Sequence, residues 1–280
     1  MDSSEEDLAR ALQFGDEGDW LSMAEYLRGI LEGWPDDATV LCWLGVAERE
    51  LGMDGVAYER FRACLAAEPT DPKILAMVGN GLARFDDPEA ESILRTATLM
   101  DPSLAYARTV YGAYLAREGM SEEALVEIEA AVALVPEDPE TLTEWGVALA
   151  LAGRLDEAVD AFYQACDADP EDGWARALVG LALVILGRTA DALADLLHAA
   201  DLRPEDVEVA LVASLAAAAC DEVDRAYEMV ERARLRGIAG DLPMVDAVLD
   251  RVEEGSEPSM AFLIEEVVSG VFRERLMTRP

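Results

Sequence analysis

The sequence predicts an all-α protein built from repeated helix pairs, and three observations support this prediction. Prolines recur 34, 33, 34, 34 and 34 residues apart along most of the chain. Before each of these prolines, small and large apolar residues lie at steps of four and three, which places them on one helix face. No segment shows the alternating apolar pattern that is typical of strands.

The stretch LDEAVDAFYQACDADPED (155–172) shows the repeating unit. Ala158, Phe162 and Ala165 share one helix face, and small residues around a large one suit a helix pressed closely against another. Pro170 lacks a backbone N–H and disfavours helix at the preceding residue, so the helix should end shortly before it. The same slots hold Met23, Leu27, Ile30 and Pro35; Ala57, Phe61, Cys64 and Pro69; Ala90, Leu94, Ala97 and Pro102; Ala124, Ile128, Ala131 and Pro136; and Ala192, Leu196, Ala199 and Pro204.

A second predicted helix precedes each of these packing helices and, except in the first copy, carries a large residue followed by glycine. A large residue followed by glycine indicates a close approach of two helices, and a later glycine indicates helix termination. The pairs are Leu44 and Gly45, Val78 and Gly79, Tyr111 and Gly112, Trp145 and Gly146, and Val179 and Gly180, and the turn glycines are Gly52, Gly119, Gly153 and Gly187.

A 34-residue period with these residues resembles the tetratricopeptide repeat (TPR). Six copies are clear, while a degenerate seventh has Ala210, Ser214, Ala226 and Ala233 in or near the expected slots but no closing proline. The resemblance implies a right-handed superhelical solenoid of about seven helix pairs with C-terminal capping helices. The repeats are expected at about 4–37, 38–71, 72–104, 105–138, 139–172, 173–206 and 207–237.

The predicted solenoid covers residues 1–237, and residues 238–280 are expected to form a helical cap or tail. A short helix is predicted over 244–252 and a longer one over 260–277. Three roles remain open for the longer helix: a cap over the end of the solenoid, a docking helix for a second copy or another protein (self-association through 258–280), or docking in the chain's own groove. Its apolar positions are Phe262, Leu263, Val267, Val268, Val271, Phe272 and Leu276.

The net charge of −36 opposes binding to nucleic acid and to anionic membranes, because both require clustered Lys and Arg. The acidity indicates either a basic partner or a generally acidic proteome, as in organisms with high internal salt. The first ten residues contain no apolar run, so we expect no signal peptide. With no apolar stretch long enough to span a membrane, a cytoplasmic location is predicted.

No combination of residues predicts catalysis. His198 is the single histidine, so a multi-histidine metal site is excluded, and no Ser or Cys near it suggests a triad. Neither a phosphate-binding glycine loop nor an EF-hand loop is present. We therefore expect no enzymatic activity, no catalytic residue, no cofactor and no metal.

The resemblance implies that the first helices of successive repeats line a concave groove that binds partners. The residues predicted to point inward form a basic, hydrogen-bonding half followed by an apolar half. The alternative is ordinary packing, with Val147, Leu181 and Val184 buried between helices and the arginines paired locally with Glu48 and Glu50. The predicted partner contacts are Arg49, Lys73, Asn80, Arg84, Tyr106, Arg117, Leu151, Trp174, Leu181 and Ile185.

These features predict a non-enzymatic adaptor, scaffold or assembly chaperone that binds a protein or peptide in the groove. The expected partner segment has an acidic part and an apolar part. The alternative is a regulatory or sensor module that switches partner on binding a small ligand or a signalling peptide. Lys73 and Asn80 resemble part of the two-carboxylate clamp of some TPR proteins, but the other clamp positions hold mostly Ala, Thr and Val.

Overall fold

The structure is a computed structural model that describes residues 3–278, with side chains from Glu6 onward. The two residues at either end, which belong to the predicted solenoid and tail, lie outside the described residues. All regular secondary structure in 3–278 is helical. The elements are α1 (Ser3–Asp16), α2 (Trp20–Gly33), α3 (Ala38–Glu50), α4 (Asp54–Ala66), α5 (Pro72–Ala83), α6 (Ala90–Met100), α7 (Ala105–Arg117), α8 (Ser121–Leu134), α9 (Pro139–Leu151), α10 (Leu155–Ala168), α11 (Gly173–Ile185), α12 (Thr189–Leu202), α13 (Val207–Ala219), α14 (Val223–Arg236), α15 (Leu242–Glu254), α16 (Ser256–Phe262), a π-helical turn (Leu263–Val267) and α17 (Val268–Met277).

The chain divides into two compact units, residues 1–114 and residues 115–280, with the boundary inside α7. In the first unit, α1 to α6 pack each on the next, and α3 also contacts α5. In the second unit, α8 to α14 likewise pack each on the next, and α15, α16 and α17 are added to them. Each unit therefore has the helical-repeat architecture that the sequence predicts.

The slots of the repeat form the core of each helix pair. Phe61 and Phe162 are completely buried, as are the alanines and cysteine beside them in the slots. Burying a large apolar side chain contributes roughly 1.5–3 kcal/mol, so every repeat adds its own increment of stability. One slot differs from the prediction, because Ile30 is only partly buried at the end of α2.

The predicted glycines have the two roles expected of them. A Cβ on Gly45 would lie 2.8 Å from the Phe61 ring, and one on Gly79 would lie 2.8 Å from Leu94, so both positions need a glycine for close helix contact. The turn glycines have φ values of +72° to +80°. In the seventh repeat Asp221 takes this position with φ +63°, a conformation that Asp tolerates better than most residues.

Part of the acidity has a structural role at helix starts. Among the described helices, five first helices of repeats begin after an aspartate whose carboxylate accepts a hydrogen bond from a backbone N–H of the first turn. This capping typically contributes about 1 kcal/mol per helix. The caps are Asp37, Asp71, Asp138, Asp172 and Asp206.

The C-terminal helices pack on the second unit in two ways. The helix α15 contacts α14 and α13, whereas α16 contacts α13 and α17 contacts α11 and α9. Because α9, α11 and α13 are the first helices of their repeats, the segment 256–277 is docked on the chain's own first helices. The sequence left three roles open for this helix, and in the structure it contacts α9, α11 and α13.

A π-helical turn interrupts the helix 256–277 between α16 and α17. Such a turn holds one residue more than an α-helical turn. Leu263 and Val268, five residues apart, are both buried, and the buried face continues through Phe272 and Leu276. The extra residue thus lets the two halves of the helix turn their apolar sides toward the same surface.

Candidate functional site

The candidate site is the surface formed by α9, α11 and α13, here called the second-unit surface. It carries the predicted apolar contacts Leu151, Trp174, Leu181 and Ile185. Leu181 is fully buried, Leu151 and Trp174 are partly buried against the same hydrophobic cluster, and Ile185 is 36 % exposed. The cluster also contains Leu263, Val267, Val268, Phe272 and Leu276 of the C-terminal helix.

The composition of α13 explains why this surface needs a cover. Every residue from Val209 to Ala218 is buried, so the helix is surrounded on all sides. A helix that is apolar all round requires neighbours all round. Its neighbours α12 and α14 supply part of the contact, and α15, α16 and the π-helical turn supply the rest.

Arg275 anchors the C-terminal helix to the second-unit surface. Its side chain is only 6 % exposed. Its Nη2 donates hydrogen bonds to Oδ1 and Oδ2 of Asp206 at 2.7 and 2.9 Å and to Oε2 of Glu208 at 3.2 Å. Its guanidinium carbon lies 5.1 Å from the ring centroid of Trp174, which Arg203 also contacts at 5.5 Å. Arginine suits this place because its planar cation can bind carboxylates and contact an aromatic face together.

The pKa values of the two carboxylates around Arg275 are shifted in opposite directions. Burial acts to raise the pKa of Asp206, but the hydrogen bond and positive charge of Arg275 outweigh it, so this pKa lies below its ordinary value of 3.8. Burial also raises the pKa of Glu208, and there Arg275 only partly offsets the effect. Of the two, Asp206 is therefore the carboxylate whose ionised form the fold favours.

Replacing Asp206 with Asn should remove this ion pair while the Asn side chain still caps α13. We expect a loss of about 2 kcal/mol in the free energy of unfolding at pH 7. Because the folded-state pKa of Asp206 is lowered, its contribution is complete above the unfolded pKa and is lost as pH falls through the folded value. The difference between wild type and Asp206→Asn should therefore shrink as pH falls below about 4.

Urea unfolding at several pH values between 7 and 3 measures this difference. Asp201→Asn is the control, since Asp201 also pairs with an arginine, Arg232, but is 71 % exposed. Such an exposed pair contributes at most about 1 kcal/mol. A difference for Asp206→Asn that is independent of pH would contradict the assignment.

The predicted polar contacts in the first unit, here called the first-unit set, are Arg49, Lys73, Asn80, Arg84 and Tyr106. Lys73 is exposed and forms no ion pair with any described residue. Asn80 is partly buried, and its Oδ1 has no hydrogen-bond partner among the described residues. Arg49 pairs with the adjacent Glu50. Arg84 is exposed, and Tyr106 is partly buried.

Local pairing reduces the positive charge that the sequence predicts for the groove. Arg117 forms two hydrogen bonds with Glu144 at 2.8 and 3.2 Å, and the two side chains are 11 % and 12 % exposed. In the first unit, Glu48 is fully buried and pairs with Arg28 and Arg60. Arg117 and Arg49 are thus at least partly neutralised by neighbouring acids, as the packing alternative expects.

The packing alternative also expects three apolar side chains to be buried between helices, and they are buried. Val147, Leu181 and Val184 are all at most 2 % exposed. Sequence reasoning missed Arg275 and Asp206 as a pair, because they lie 69 residues apart and no periodic pattern links them. The available signals were the unusually apolar α13 and the balanced charge of the tail.

Comparisons with known proteins show the fold. No protein-family model matches the chain, and no curated protein matches it. Among solved structures, the Cut9–Hcn1 hetero-tetramer of the APC/C has a TM-score of 0.71 at 17 % identity, with 86 % of this chain and 48 % of that chain covered. A tetratricopeptide repeat protein from Parabacteroides merdae has a TM-score of 0.57 at 17 % identity, with 89 % and 98 % covered. The chain has the TPR fold.

A thermophilic TPR protein from Thermus thermophilus has a TM-score of 0.55 at 24 % identity, with 65 % of this chain and 99 % of that chain covered. This chain spans about half the length of the Cut9–Hcn1 chain that it matches. Within residues 3–278 of this TPR-fold chain, no helix is long and apolar enough to cross a membrane.

Proposed function

We propose that the chain is a non-enzymatic adaptor, scaffold or assembly chaperone that holds a segment of a partner protein on its first helices. One observation carries the proposal: the second-unit surface already holds an amphipathic helix by apolar burial and a buried arginine. Amphipathic helices in apolar grooves are a recurring mode of protein recognition. The Cut9–Hcn1 structure, which contains a chain of similar fold, is a hetero-tetramer.

The first-unit set supplies polar contacts for a partner on the first unit. Lys73 and Arg84 carry exposed positive charge, whereas the Asn80 side chain is partly buried and its Oδ1 is shielded from solvent. A segment with acidic residues fits these groups, since a charge-assisted hydrogen bond is stronger than a neutral one. The proposal includes a protein partner, a cytoplasmic location and no cofactor, metal or nucleic acid.

Paired affinity capture from native lysate, read by mass spectrometry, tests recognition by the first-unit set. The variant Lys73→Glu/Arg84→Glu should lose a partner that the wild-type chain retains, because it reverses two positive charges in this set. Arg117 is left unchanged, since a glutamate there would face Glu144 and destabilise the fold. The control Arg95→Glu/Arg188→Glu changes the net charge equally at two exposed arginines outside the set. Identical partners on all three chains would contradict recognition by the first-unit set.

The second candidate function is a regulatory module that switches partner on binding a signalling peptide. The observation that favours it is that the chain's own C-terminal helix covers the second-unit surface. Such a surface can exist in two states, covered by this helix or open to a partner. This candidate predicts that binding to the second-unit surface changes when the C-terminal helix is released.

A further inference from the structure

The C-terminal helix 256–277 presents a defined pattern to the second-unit surface. Val268, Phe272 and Leu276 are buried at four-residue steps, and Arg275 is buried beside the last of them. On the opposite side Ile264, Glu265, Glu266, Ser269, Gly270, Arg273 and Glu274 are exposed. The helix therefore lies on the surface by one face, as a bound peptide does.

Among the described residues, few polar contacts hold this helix apart from those of Arg275. Thr189 Oγ1 lies 3.6 Å from Met260 Sδ, which is a weak contact. The carboxylates of Asp206 and Glu208 and the Trp174 ring all converge on the Arg275 guanidinium. Recognition thus combines a nonspecific apolar stripe with a specific cation site.

The connection before the helix is a single residue, Gly255. Gly255 separates α15 from α16 with φ +112°, a backbone conformation that favours glycine. Ser259 Oγ donates a hydrogen bond to the Arg251 carbonyl and fixes the present direction of the chain. Rotation at a residue such as Gly255 would release α16, the π-helical turn and α17 together.

We propose that the helix 256–277 is an intramolecular pseudo-ligand, and that the second-unit surface binds an amphipathic helix of a partner when this segment is displaced. The partner helix carries apolar residues at positions i, i+4 and i+8 and an arginine at i+7, which takes the place of Arg275 against Asp206, Glu208 and Trp174. This inference rests on the proposed function and specifies the partner chemistry for the second-unit surface.

The tether makes the pseudo-ligand a strong competitor. A linked segment acts at an effective concentration of about 1 mM, so a free helix of equal intrinsic affinity binds the closed chain weakly. Apparent affinity rises as the fraction of open chains rises. A substitution that removes the contacts of Arg275 in the chain should therefore strengthen binding of an added, separate helix with an intact sequence.

The test uses the full chain and a fluorescein-labelled synthetic peptide of residues 256–278, measured by fluorescence anisotropy. We expect Arg275→Glu to bind this peptide at least about 10-fold more tightly than wild type does. Arg273→Glu is the matched control, because Arg273 is exposed and forms no ion pair with a described residue; it should bind as wild type does. A peptide with Arg275→Lys should bind more weakly than the wild-type peptide, since lysine lacks the planar fork.

An Arg275→Glu chain that keeps its helicity by circular dichroism but binds the peptide no better than wild type overturns the proposal. A second arm covers misfolding of that variant. A protease site is inserted after Gly255, the folded chain is cut, and labelled peptide is added. Exchange of the cut segment for labelled peptide supports the proposal, and a cut segment that never exchanges overturns it. The peptide measurement uses no cellular partner, so its failure is distinguishable from loss of partners at the first-unit set.

Discussion

Deletion of Gly270 is expected to disrupt the packing of α17 on the second-unit surface and to lower the free energy of unfolding by about 4 kcal/mol. Each residue after the deletion moves back one position, which is a rotation of about 100° around the helix axis. Arg273 would then occupy the buried place of Phe272, and Leu276 that of Arg275. The apolar contact and the pairing with Asp206 are lost together.

Deletion of Glu265 is the matched comparison, because it removes an exposed residue from the π-helical turn of the same helix. A π-helical turn with one residue fewer becomes an α-helical turn, and the residues on either side keep their orientation. We expect this deletion to change the free energy of unfolding by less than about 1 kcal/mol. Gly270→Ala serves as a second control, since a Cβ there meets nothing within 4 Å.

Urea unfolding followed by circular dichroism measures all three variants. Equal stability of the Gly270 and Glu265 deletions would show that the π-helical turn does not set the register of α17. Both variants lose one exposed residue from the same helix, so the comparison tests chiefly the position of the deletion.

Phe61→Ala is expected to destabilise the first unit by about 3–5 kcal/mol, because it empties the slot between two repeats. The Phe61 ring lies between Gly45 of its own repeat and Gly81 of the next one, and a Cβ on Gly81 would be 2.5 Å from the ring. Gly81→Ala should therefore also destabilise, by about 1–3 kcal/mol through overpacking.

A double-mutant cycle separates the packing effect from helix propensity. Phe61→Leu makes room beside Gly81, so the cost of Gly81→Ala should fall by at least about 1 kcal/mol in the Phe61→Leu background. Gly29→Ala is the control in the same unit, since its Cβ meets nothing within 4 Å; it should stabilise by about 0.5–1 kcal/mol. Additive effects in the cycle would contradict the proposed contact.

The repeating unit could be predicted from the amino-acid sequence alone. Its period, the buried slots such as Ala158 and Phe162, and the turn glycines are set by helix geometry and by contacts between neighbouring helices. These contacts recur about every 34 residues, so each copy of the pattern supports the assignment of the next copy. Local interactions that recur in every repeat can be recognised in a sequence without any knowledge of distant contacts.

The cover of the second-unit surface, in contrast, became known only from the folded chain. The contact between Arg275 and Asp206 occurs once, across 69 residues, and no repeat reports on it. The sequence showed an apolar tail and apolar first helices, but hydrophobic burial is non-directional and did not choose between a cap, a partner and the chain's own groove. Likewise, the pairing of Arg117 with Glu144 depends on side-chain geometry, which the position of a residue within the repeat does not reveal.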